Sequence, residues 1–142
     1  MKTKNNRTIE LDIEEKERFV KNLLILNKET EICDILDKTI NQDSLEVLDF
    51  LPSASIDLII ADPPYNMNKE FNSITFSKQT HHEYEQWLDS WIKKLPRILK
   101  NNGSNYICSE WNSSVSVYNI LSKYFIIQNR ITWERDKGRG SK

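Results

Sequence analysis

Between Asp12 and about Asn27, Phe19, Val20, Leu23, Leu24 and Leu26 recur at helical spacing behind an acidic start, which predicts an amphipathic helix. A second helix is predicted from Ser44, read as its N-cap, with Val47, Leu48 and Leu51 on one face and Pro52 as its stop. After the loop "PSAS", the near-continuous apolar run from Ile56 to Ala61 predicts a strand covered on both faces, as in a parallel sheet. Thr80 to Leu99 reads as a longer helix. Trp87, Trp91, Leu95 and Leu99 repeat every four residues, and Tyr84, Leu88 and Ile92 widen the stripe. Pro96 should kink or split its last turn. Gly103 then resets the chain, "NYICS" predicts a short strand, Asn112 to Lys123 a helix, and "YFIIQNRITW" strand material. This alternation with short connections predicts an α/β sandwich whose sheet is at least partly parallel.

The 142 residues suffice for one core, and 38% hydrophobic with 29% charged residues is an ordinary globular composition. Apolar runs such as "LLIL" are too short for a membrane span, and the polar N-terminus lacks an apolar signal core. A cytoplasmic protein with no membrane partner is expected. Cys33 and Cys108 lie far apart with no partners at metal spacing, so both are expected to be reduced, buried thiols. His81 and His82 are adjacent and lack a completing ligand set, which reads as a solvated helix start. The four-residue spacing of Trp87 and Trp91 places both in a core, and Trp133 should anchor the last strand. Formal charge is −1, so any nucleic-acid contact must come from a local basic patch. The stretch from Arg130 to Lys142 offers one, with five basic residues against two acidic ones and two glycines.

The chemistry concentrates at "LIIADPPY". In an open α/β sheet, functional groups gather past the carboxyl ends of strands, where Asp62 falls. Pro63 and Pro64 stiffen the turn and carry no N–H to compete for its acceptors. What remains is the Asp62 carboxylate, backbone carbonyls such as that of Pro63, and the flat face of Tyr65. A planar group bearing an –NH2 fits: two acceptors take its hydrogens while its ring stacks on Tyr65. The exocyclic amine of a nucleobase is a poor nucleophile, because its lone pair is delocalised. Fixing both hydrogens favours a tetrahedral nitrogen, and the carboxylate stabilises the positive charge that develops on it. A base paired in a duplex would have to be flipped out to enter. Asn66 either touches substrate or finishes the turn, with the turn favoured.

"DPPY" after "IDLII", continuing as "NM", resembles the catalytic motif of the amino-methyltransferases that act on DNA bases, in its N6-adenine form. "NQDSLEVLDFLPSASIDLIIADPPYN" is similar to the opening of the permuted beta-type group of restriction–modification enzymes, in which the catalytic motif precedes the cofactor loop. "LPRILKNNGSNYI" and "NRITWERDKGRG" are similar to the segments that follow. The resemblance implies a partial Rossmann-like methyltransferase sandwich, mostly parallel with helices on both faces. It implies transfer of a methyl group from S-adenosyl-L-methionine to adenine N6 in DNA, with N4 of cytosine, an RNA base amine or an inactive DNA-binding remnant as alternatives. Asp62, Pro63, Pro64 and Tyr65 would be the catalytic set. Asp62 and Asp43 would meet the cofactor, Asp43 being otherwise an ordinary acidic helix start. Arg135, Lys137 and Arg139 would follow DNA. The only glycines are Gly103, Gly138 and Gly140, and Gly138-Arg139-Gly140 has no helix after it. Residues 1–37 are therefore expected to form an N-terminal helical segment, and 38–142 a catalytic half without its cofactor loop or target-recognition region. Such a half would work as a homodimer or with a complementary C-terminal half.

Overall fold

The computed structural model describes residues 11–71 and 74–133. They divide into two compact units, one from the residues up to Ala61 with Lys94–Tyr106, the other from Asp62–Lys93 with the residues from Ile107 onward.

The first unit begins with helix α1, Ile13–Val20. Asp12 caps it by accepting from the Glu15 N–H, and Glu15 answers on the Asp12 N–H, a reciprocal capping box. The helix is shorter than its apolar spacing predicts. Leu23 and Leu24 leave it to form β1, Leu23–Leu24, which pairs in parallel with β2, Thr39–Ile40. A backbone ladder outweighs local helix preference there. The short α2, Ile32–Ile35, lies between them in sequence. α3, Ser44–Val47, is capped by Asp43, one residue before the expected cap.

The apolar run folds as β3, Ile56–Ala61, as predicted, and hydrogen-bonds to β6, Leu99–Ile107. Its cover is thinner than expected: Leu58 and Ile60, on one face, are 51% and 69% exposed. The second face that a fully covered strand needs is not supplied by the described residues. β6 is longer than its apolar core implies, because Gly103 lies inside the strand rather than in a turn. A Cβ at Gly103 would stand 2.9 Å from Leu99 side-chain atoms and 3.0 Å from the Asp57 carbonyl oxygen. Glycine here is a requirement of close strand approach. Lys100 bonds both carboxylate oxygens of Asp57, at 2.8 and 2.9 Å, but that exposed pair adds little stability. Arg97, in α5 (Leu95–Ile98), ties the end of α3 down by donating to the carbonyls of Leu48 and Leu51.

The second unit carries a hairpin absent from the sequence reading, β4 (Lys69–Phe71) antiparallel to β5 (Ile74–Phe76). Its core joins α4, His81–Ile92, to α6, Ser114–Leu121, which follows a single 3-10 turn at Trp111–Ser113. Tyr84, Leu88, Trp91 and Ile92 are buried on α4, and Ser116, Val117 and Ile120 on α6. Each large apolar side chain so buried contributes about 1.5–3 kcal/mol. The long predicted helix is split as Pro96 requires: α4 ends at Ile92, and Pro96 sits in the first turn of α5.

Three expectations are corrected. Residues 124–133 form no strand among the described residues, and Trp133, expected as an anchor, is 88% exposed. A strand needs a neighbour to complete its hydrogen bonds, and none of the described strands pairs with this segment. Cys33 is exposed and Cys108 half-buried, both as free thiols, so the buried pair does not hold. Trp87 is half-buried rather than core, its ring stacked on Tyr84 at 5.6 Å and edge-on to Trp91 at 6.0 Å. The mixed order of helices and strands with parallel pairing fits a partial Rossmann-like α/β methyltransferase sandwich.

Gly103→Ala should lower stability by about 1–3 kcal/mol in urea unfolding, because the added methyl meets a backbone carbonyl that cannot move aside freely. Thr80→Ala should cost about 0.5–2 kcal/mol in the same assay. It removes the Thr80 Oγ1 that accepts from the Glu83 N–H at the start of α4. A loss under 0.3 kcal/mol in either variant would contradict the packing or the cap.

Candidate active site at the strand end

β3 delivers Asp62 directly after Ala61, and the chain then turns through Pro63 and Pro64 into Tyr65. Asp62 and Pro64 are exposed, while Pro63 and Tyr65 are half-buried. The carboxylate thus stands open, where an incoming group could reach it. The Tyr65 hydroxyl donates to Asp62 Oδ1 at 2.7 Å. Among the described residues, Oδ2 has no partner and remains available to a further donor. The Pro63 carbonyl likewise has no donor among them.

This arrangement pushes the Tyr65 phenol up to about 12, first through its hydrogen bond to Asp62, then through burial and the neighbouring negative charge. The tyrosine is therefore a neutral donor at every physiological pH, and its ring is tethered beside the carboxylate. Two acceptors and an aromatic face meet at one stiff corner, the combination suited to a planar amine.

The corner is also held from behind. The Tyr84 hydroxyl donates to the Pro64 carbonyl at 3.1 Å. Asn66 spends both ends of its amide on one residue: Nδ2 donates to the Gln79 carbonyl at 3.0 Å, and Oδ1 accepts from the Gln79 N–H at 2.7 Å. Asn66 therefore finishes the turn, as favoured from sequence. Tyr84 was legible only as part of the α4 apolar stripe, because a hydroxyl's partner is set by tertiary folding. Beside this corner lies a cavity of ≈160 Å³ lined by Asn66, Lys78, His81, Glu110, Asn112 and Ser113. Glu110 is occupied there in capping the 3-10 turn, accepting from the Asn112 and Ser113 N–H groups.

The remaining expected residues are accounted for as follows. Asp43 belongs to the first unit, where its carboxylate accepts from the Leu45 N–H at 2.8 Å as the cap of α3. Arg135, Lys137 and Arg139 lie outside the described residues. His81 and His82 are exposed at the start of α4, and no group of metal-ligating side chains forms among the described residues. No helix among them is long and apolar enough to cross a membrane.

Comparison with known proteins places the chain in a methyltransferase family. Residues 56–142, more than half of the chain, match the model of the DNA methylase family that joins N6 and N4 enzymes, and the chain belongs to that family. It is 34% identical over 121 residues to the Type II methyltransferase M.BamHI of Bacillus amyloliquefaciens, covering 79% of this chain and 28% of that protein. It is 35% identical over 97 residues to the DNA adenine methyltransferase YhdJ of Escherichia coli (strain K12), covering 68% of this chain and 33% of that protein. With the Type II methyltransferase M1.MboII of Moraxella bovis the identity is 32%, covering 75% and 40%. The chain thus spans about a third of the length of the curated relatives it matches. No solved structure matches it.

A tyrosine NMR titration should find Tyr65 still mostly protonated at pH 11. Asp62→Asn should bring its midpoint down toward 10. The folded pKa is raised, so this contact's contribution to stability is complete below pH 10 and is lost as pH rises through about 12. A wild-type midpoint near 10 would exclude the Tyr65–Asp62 bond.

Proposed function

We propose that this chain is the catalytic half of a site-specific DNA methyltransferase of a restriction–modification system, acting on the N6 amine of adenine. Residues 38–142 form the catalytic portion behind the N-terminal segment 1–37. The observation that carries the reading is the open Asp62–Pro63–Pro64–Tyr65 corner at the end of β3. The Asp62 carboxylate and the Pro63 carbonyl accept the two amine hydrogens, Pro64 keeps the turn stiff, and the Tyr65 ring stacks on the flipped base. Asp62 offsets the positive charge that builds on the nitrogen in the transition state. Adenine rather than cytosine is favoured by aspartate in the first motif position and by the adenine-specific relative. DNA is the macromolecular partner, with the basic residues Arg135, Lys137 and Arg139 along its backbone, and the protein works in the cytoplasm.

S-adenosyl-L-methionine, when bound, supplies the methyl group. The fit of the described residues to it is partial. Asp62 and Asp43 offer carboxylates, but Gly103, the one described glycine, is enclosed in β6 and forms no cofactor loop. We therefore assign the rest of the cofactor site to parts of the methyltransferase domain outside the described residues.

Calorimetric titration of S-adenosyl-L-methionine into residues 1–142 alone should show weak or no binding, and tight stoichiometric binding would contradict the division of the site. In the completed enzyme, Asp62→Ala should abolish methyl transfer to DNA adenine while the chain still folds, its stability lowered only by loss of the Tyr65–Asp62 bond. Tyr65→Ala should cost roughly 1–3 kcal/mol of base stacking. Retained activity in Asp62→Ala, or N4-methylcytosine as the only product, overturns the assignment.

A further inference from the structure

We propose that Tyr84 and Asn66 are positioning residues, a clamp from the start of α4 that fixes which carbonyl of the proline corner is free to receive the substrate amine. The proposal rests on the reading of Asp62 and Tyr65 given above, and nothing in that reading assigns either residue a role.

The need for a clamp follows from the motif itself. Two successive prolines remove two backbone donors, so the turn cannot be closed by its own N–H groups. Among the described residues, the backbone bond within its continuation runs from the Met67 N–H to the Tyr65 carbonyl, at 2.7 Å. Other groups must supply the fixing bonds, and here they link the corner to one helix start: the Tyr84 side chain reaches in from α4, and the Asn66 side chain reaches out to the Gln79 backbone. The Tyr84 hydroxyl takes the Pro64 carbonyl. Tyr84 is 3% exposed and its ring is stacked on Trp87, so the hydroxyl is carried on a post with no freedom to swing. Burial raises its phenol above the ordinary tyrosine value, so it stays a donor. Asn66 is 8% exposed and binds the N–H and C=O of Gln79, the residue before the Thr80 cap of α4, in the manner of a strand pair. Lys78 adds a strut, its N–H donating to Asn68 Oδ1 at 2.7 Å.

The consequence is selective. Pro64 C=O is engaged, and Pro63 C=O is left without a donor among the described residues. With the backbone after Tyr65 also pinned, the phenol reaches Asp62 Oδ1 and leaves Oδ2 for the amine. Breaking the clamp should therefore be felt at the Tyr65 hydroxyl, although neither clamp side chain hydrogen-bonds to it.

The test uses the full 142-residue chain labelled with tyrosine 13Cζ, with Tyr65 assigned by Tyr65→Phe. At pH 11, wild-type Tyr65 should be mostly neutral. Tyr84→Phe, which keeps the ring, and Asn66→Ala should each raise its ionised-to-neutral ratio at least tenfold. Asn66→Asp, which still accepts from Gln79 N–H, should fall between wild type and Asn66→Ala. Far-UV circular dichroism at the same pH tells this local release from unfolding, and Tyr84→Phe carries the test should Asn66→Ala unfold. An unchanged Tyr65 ratio in folded Tyr84→Phe and Asn66→Asp overturns the clamp. Failure of the catalytic reading shows elsewhere, as methyl transfer that survives Asp62→Ala while the Tyr65 ratios respond as described.

Discussion

A proline pair at the end of a strand removes two backbone donors where a turn would ordinarily close on itself, and the rest of the second unit answers that loss. The strand ladder stops at Ala61, and Asp62 is left exposed with acceptors that no local N–H can claim. Stiffness from fixed proline φ angles is not enough to place a carboxylate to within a fraction of an ångström. The Tyr84 hydroxyl from α4 and the Asn66 amide on the Gln79 backbone supply what the two prolines cannot, and α4 is in turn held by packing on α6. The corner is thus rigid because a helix core stands behind it.

The Tyr65–Asp62 bond gives the site a further property. A tyrosine ring is ordinarily free to rotate about two side-chain bonds. Here its hydroxyl is tied to the carboxylate, so the wall and the acceptor move together. Ordering entropy that binding would otherwise cost is lost at folding instead.

What could be read from the chain divides along physical lines. β3 and the Asp62 corner were legible because an apolar run and two prolines dictate local geometry regardless of surroundings. The break at Pro96 followed from the ring's missing N–H. The misread segments are those where the partner decides: Leu23 and Leu24 have helical spacing but join Thr39 and Ile40 in a ladder, and Phe125 to Trp133 have strand composition but no neighbour. Gly103 reads as a turn residue until the Asp57 carbonyl is seen at the place its Cβ would fill. Of the site, the motif and the turn role of Asn66 were visible, while the partners of its supports were not. Asn66 and Tyr84 act through polar side-chain atoms whose partners lie 13 and 20 residues away.

The half-bare face of β3 has a colloidal consequence. Leu58 and Ile60 present an apolar strip on a strand with one edge paired to β6, next to a run without a charge from Leu58 to Ala61. Such a surface recruits any extended chain that can lie along it. Handled by itself at high concentration, this polypeptide is expected to self-associate first through that strip.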